Sequence, residues 1–172
     1  MKRILSYTAM VLTAAIMITS CDDDEEDISP NQTDTNFMTM AAYANLNEVD
    51  FAQLALTKST HDSVRWFAQK MVADHSAAMS QLDSIADNFS YTLPTTIDSI
   101  HAAMKTQLMA LAGYEFDTAY MNGQIRDHIS AISLLQNEIN QGRNPSIKNY
   151  ASEKLPHLEM HKQRADSIRA QL

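Results

Sequence analysis

Residues 63–89 read SVRWFAQKMVADHSAAMSQLDSIADNF. Val64, Ala68, Met71, His75, Ala78, Leu82, Ile85 and Phe89 recur at spacings of four and three, the stripe of a helix that packs against other helices. His75 therefore faces inward. A lone inward histidine is ordinarily a core residue with its hydrogen bonds met, so its meaning depends on what other segments aim at the same depth.

Working outward toward the N-terminus, residues 37–58 form a first long helix with Ala41, Ala44, Glu48, Phe51 and Ala55 inward. Ser59 and Asp62 have the spacing of a capping box, so the second helix starts almost at once and the two are antiparallel. In the other direction, residues 90–94 form a loop and Thr95 with Asp98 suggests a cap. A shorter helix then runs through Ile100, Met104, Leu108 and Leu111 and stops at Gly113. Residues 115–141 make another long helix, with Met121, Ile125, His128, Ile132 and Leu135 inward, closed by Gly142. Asn144 and Pro145 open the last, whose stripe is Ile147, Ala151, Leu158, His161, Ala165, Ile168 and Leu172. Pro156 falls inside it, at a cost of ~3 kcal/mol unless the bend is useful, whether to aim His161 or to wrap the core. Three Gly and four Pro in 172 residues, with eleven Met, also favour helix over sheet. Two hairpins of long helices joined by a long helical connection describe an all-α, ferritin-like four-helix bundle, with the crossover between the second and third long helices and those two parallel.

Depth follows from helical rise. Counted from the first turn at ~1.5 Å per residue, Glu48 and His75 differ in height by about 4–5 Å. Counted from the second, His128 and His161 differ by about 3 Å. All four fall near mid-bundle, one per long helix. A carboxylate and three imidazoles from facing helices form a candidate site for one divalent ion, Fe, Mn or Zn, whose binding should fade as pH falls through the histidine range near 6.5. The alternative is a metal-free polar layer that only fixes helix register. Asp74 and Asp127 each precede a seam histidine and point about 100° away, toward solvent or toward a ring nitrogen on a neighbouring helix. His157, one turn before His161, belongs at the rim; His61 and His101 read as exposed. Asp117 and Glu115 fit the dipole of a helix start. Tyr120 and Gln124 extend the polar line inside the bundle, and the methionines read as core filler.

The chain opens with Lys2 and Arg3, an apolar run and small residues before Cys21, the order of a signal peptide over residues 1–20. Ile18-Thr19-Ser20-Cys21 resembles the lipobox of bacterial lipoproteins, which implies acylation of Cys21 and a membrane anchor. As the sole cysteine, Cys21 allows no internal disulfide. Residues 21–36 read as a disordered acidic tether, because seven of the 21 acids and no base lie there; most of the net charge of −8 is therefore outside the domain of residues 37–172. No basic patch points to nucleic acid.

FAQKMVADH, GYEFDTAYMNGQIRDH and KLPHLEMH resemble the motifs of a family of bacterial envelope proteins, domain of unknown function 4142, over nearly all of residues 37–172. The resemblance implies a ferritin-like bundle in an outer-membrane lipoprotein, periplasmic or surface-facing. It implies no reaction. Glu-x-x-His, the di-iron signature, is absent, so ferroxidase chemistry is not inherited from the fold. Two roles remain: metal binding at the mid-core layer, or a non-enzymatic scaffold that binds a protein partner.

Overall fold

The computed structural model describes residues 28–172, of which five helices are the regular elements: α1 (Gln32–Lys58), α2 (Asp62–Asp87), α3 (Ser99–Met109), α4 (Gly113–Gln141) and α5 (Pro145–Arg169). The expected signal peptide, Cys21 and the first part of the expected tether lie outside the described residues. No strand occurs among the described residues, and no helix there is long and apolar enough to cross a membrane.

Helix α1 begins at Gln32 rather than Phe37. Asn31 caps it in a reciprocal box, its Oδ1 accepting from Asp34 N at 2.9 Å while its own N–H donates to Asp34 Oδ2 at 2.6 Å. Asp34 is thus no tether acid: it is fully buried and also accepts from the N–H groups of Arg143 and Asn144. The box expected of Ser59 and Asp62 does not form, because Ser59 closes α1 and its Oγ accepts from His61 N. Arg65 instead reaches back to the carbonyls of Leu56 and Ser59 and satisfies the end of α1.

The connection places α2 parallel to α4. Val64 and Phe67, early in α2, share an apolar cluster with Phe116 and Tyr120, early in α4, while Leu82 and Ala86 share a second cluster with Leu135 and Ile147. An antiparallel pair at each end and one long crossover between them make the all-α, ferritin-like arrangement. Helix α3 starts at Ser99, capped by Asp98, not at Thr95, since Asn47 of α1 holds the Asp98 carboxylate at 2.7 Å. That register leaves Ile100 69% exposed and turns Leu108 inward. Lys105 adds an ion pair to Asp50, so α3 covers the groove between α1 and α4. At the other hairpin Asn144 accepts from the N–H groups of Ser146 and Ile147, and Pro145 occupies the first turn of α5, which continues through Pro156. The two apolar clusters leave between them a polar layer.

Candidate metal centre

His75, His128 and His161 project from α2, α4 and α5 into that layer and are 5%, 1% and 2% exposed. Their ring centroids are 5.5 to 5.7 Å apart. One nitrogen from each ring lies within 4.8 Å of the other two.

Each ring is held by its other nitrogen. His128 Nδ1 lies 2.8 Å from the carbonyl of Gln124, which only accepts, so this nitrogen carries the proton. His161 Nε2 donates in the same way to Asp74 Oδ2 at 2.8 Å. His75 Nδ1 meets Asn45 Oδ1 at 2.9 Å, and the Asn45 amide nitrogen donates to the Tyr150 hydroxyl, which turns back to the carbonyl of Ala78. Fixing one N–H of each ring leaves a lone pair on the other nitrogen. Those atoms, His75 Nε2, His128 Nε2 and His161 Nδ1, are buried without a hydrogen-bond partner. Three outward N–H groups anchored by acceptors and three lone pairs gathered inside is the disposition of metal-ligating imidazoles. Points no more than 4.8 Å apart share a centre within about 2.8 Å of each, so movements under about 1 Å would reach the 2.0–2.1 Å of a metal–imidazole bond.

Electrostatics keep the lone pairs of His75 and His161 available. Burial, reinforced by the neighbouring rings of His128 and His161, lowers His75 well below the ordinary 6.5. Burial also brings His161 down to about 4, against the opposing pull of its bond to Asp74. The rings of His75 and His161 therefore stay neutral below pH 6.5. Burial would raise Asp74, but its bonds to Lys70 and His161 outweigh that and hold it below the usual carboxylate range.

Of the four expected ligands, the three histidines come together and Glu48 does not join them. Its Oε2 accepts from Gln124 Nε2 at 2.7 Å and its Oε1 lies 3.4 Å from His128 Nδ1, the nitrogen on the far side of the ring from the lone pair. Burial raises the Glu48 carboxyl, offset in part by His128 and by Gln124. Of the two open readings of Asp74, the ring-nitrogen one holds, though for His161 across the bundle rather than for its neighbour His75. Asp127 turns toward His101, 3.8 Å away. That histidine is not exposed as expected, because it lies between Asp98 and Asp127 and against Phe51. Asp117 is buried with an unpartnered Oδ1, more than a helix-start role requires. Asn45 was not legible as a site residue; its one signal is its place a turn before Glu48 on the same helix. His157 is exposed at the rim, as expected.

The fold recurs in solved proteins. A DUF305 fragment from Deinococcus radiodurans aligns with a TM-score of 0.74 at 15% identity, over 84% of this chain and 99% of that one. CopM in its Cu(II)-bound form gives 0.69 at 16% identity, over 80% and 96% of the two chains, and its Ag-bound form from co-crystallization gives 0.67 with the same identity and coverage. At such identities the likeness is one of fold. No curated protein matches the chain. The model of one family matches residues 20–168, and the chain belongs to that family, Domain of unknown function (DUF4142).

Proposed function

We propose that this protein is a lipid-anchored envelope protein whose bundle holds one metal ion on His75, His128 and His161. The observation that carries the reading is the set of three buried, unpartnered imidazole nitrogens, each on a ring whose other nitrogen is fixed by an acceptor. Other buried polar atoms, such as the Tyr120 hydroxyl, also lack a partner; what favours a metal over a layer that merely sets helix register is convergence, one nitrogen of each of the three rings lying within 4.8 Å of the other two. Neutral imidazoles suit Cu, Zn and Fe; without a carboxylate ligand the set suits Mn less, and the affinity order of the divalent ions favours Cu²⁺ over Zn²⁺. Copper is the ion we assign, with zinc as its rival. The copper- and silver-bound proteins of like fold support that choice. Cys21, following Ile18-Thr19-Ser20, supplies the anchor, and the acids after it lift the bundle off the outer membrane.

Metal analysis of protein purified without a His tag should find one copper or zinc ion per chain. Added Cu²⁺ or Zn²⁺ should raise the melting temperature of the wild type and leave His75→Ala unchanged, since only a site that binds the folded state stabilises it. A wild type indifferent to Cu²⁺, Zn²⁺ and Fe²⁺ would overturn the reading. The anchor has its own test: Cys21→Ser should move the protein to the soluble fraction, and unchanged retention by membranes would refute acylation there.

A further inference from the structure

We propose that metal reaches the triad through the groove between α2 and α5, where His157 captures it. The inference rests on the metal reading above. The groove has a volume of about 230 Å³; His75 and His161 line it, together with Asp74, Glu153 and His157. Ala77 and Ala78 give it room on the α2 side.

Glu153, His157 and His161 follow one another at intervals of four residues, just over one turn and about 6 Å of rise each. Metal-capable side chains thus step along α5 from solvent to core: Glu153 is 57% exposed, His157 is exposed and His161 is 2% exposed. The buried end points to a ligand, because His75 Nε2 and His161 Nδ1 are unpartnered and belong to two rings that line this groove. Asp74 joins the steps to the triad, being partly exposed and bonded to His161 Nε2. Lys70 and Lys154 pair with Asp74 and Glu153 at 2.7 and 2.8 Å, so His157 is the rim donor that a cation meets without displacing a lysine. The opposite side of the layer is different. There a cavity of about 160 Å³ also reaches His75 and His128, but its lining is largely apolar, and its Asp98, His101 and Asp127 are engaged with one another and with Asn47, so it offers a cation no free donor at the rim.

A group that lies on the path but not in the final site alters uptake and release by the same factor and leaves affinity alone. The test is stopped-flow loading of the full chain with Zn²⁺ and release to excess chelator, in wild type, His157→Ala and Asp127→Asn. His157→Ala should slow both rates about tenfold, the lower end of electrostatic and pre-binding effects on association, with Kd and one-ion stoichiometry unchanged. Asp127→Asn should match the wild type. Unchanged rates in His157→Ala, slowing confined to Asp127→Asn, or a weakened Kd with unchanged uptake would each overturn the port. A wild type that takes up no Zn²⁺ would instead overturn the metal centre, and stoichiometry shows this before any rate is compared.

Discussion

Two buried polar clusters divide the labour of this bundle, and they differ in who supplies the hydrogens. At the α4–α5 turn, Asp34 receives backbone N–H groups from Asn31, Arg143 and Asn144, so a carboxylate from the start of α1 closes a turn more than a hundred residues away. Glu138 is pushed up to about 8 by burial and by Asp34, and so holds its proton at neutral pH. Gly142 is required beside them, because a Cβ there would fall 2.0 Å from Glu138 Oε1. At mid-bundle the three histidines have acceptors outside and nothing inside. Asp34 is met by donors of the protein itself, as a structural carboxylate should be, whereas the three imidazole lone pairs meet no donor and are what a cation would complete.

The largest effect should come from breaking the structural cluster. Asp34→Ala strands N–H groups of Asn31, Arg143 and Asn144, and at ~1–3 kcal/mol for each unmet buried group the loss should be at least ~3 kcal/mol in urea unfolding. A loss under ~1 kcal/mol would mean that water replaces the carboxylate and that the turn is not held as described.

The two clusters should also give opposite pH limbs. Glu138 binds its proton more tightly folded than unfolded, so the stability it contributes is whole below its ordinary 4.5 and is lost as pH rises toward about 8. His161 binds its proton less tightly when folded, so its contribution is whole above 6.5 and is lost as pH falls toward about 4. Metal-free protein should therefore be most stable between those limbs. Glu138→Gln should flatten the alkaline limb alone, as read from melting temperature against pH; an unchanged alkaline limb would show that Glu138 is ionised throughout.

Removing a support of the metal site should cost less than removing a cap. Asp74→Ala frees the His161 ring without exposing a core residue, so metal affinity should fall ~10–100-fold while the metal-free melting temperature moves little. Calorimetric titration with Zn²⁺ reads this, and an unchanged Kd would show that the Asp74 bond does not orient the ligand.

Much of this was legible before the structure. Apolar stripes fixed the four long helices, Gly142 and Asn144-Pro145 marked the second hairpin, and helical rise alone brought His75, His128 and His161 to one height. The start of α1 was not legible, because an acid that caps a helix and one that solvates a tether look alike in composition; only the Asn31 and Asp34 pair distinguishes them, three residues apart. Asp74 was readable as pointing toward a neighbour, but the neighbour's identity needs the α2–α5 pairing. Glu48 shows the limit of depth arguments. Rise along the axis gives height, whereas ligation depends on which face of a ring a side chain meets, and that is set by rotamers.

That miss gives the smallest prediction and the sharpest for the ligand set. Glu48→Gln keeps the volume and keeps an oxygen to accept from Gln124, and His128 Nδ1 retains its 2.8 Å bond to the Gln124 carbonyl. Nothing that orients His128 is lost. What disappears is a negative charge on the far side of the ring, which when present offsets part of the charge of a bound cation. Zn²⁺ affinity should therefore fall less than about tenfold, no more than the low end of what losing a group that hydrogen-bonds to a ligand costs, with one ion still bound per chain. Metal-free protein should be at least as stable as the wild type, since a neutral amide replaces a carboxylate that burial disfavours. If Glu48→Gln instead abolished binding as His75→Ala should, the carboxylate would have to swing into the triad when metal arrives, and the centre would be a Glu-His₃ site after all.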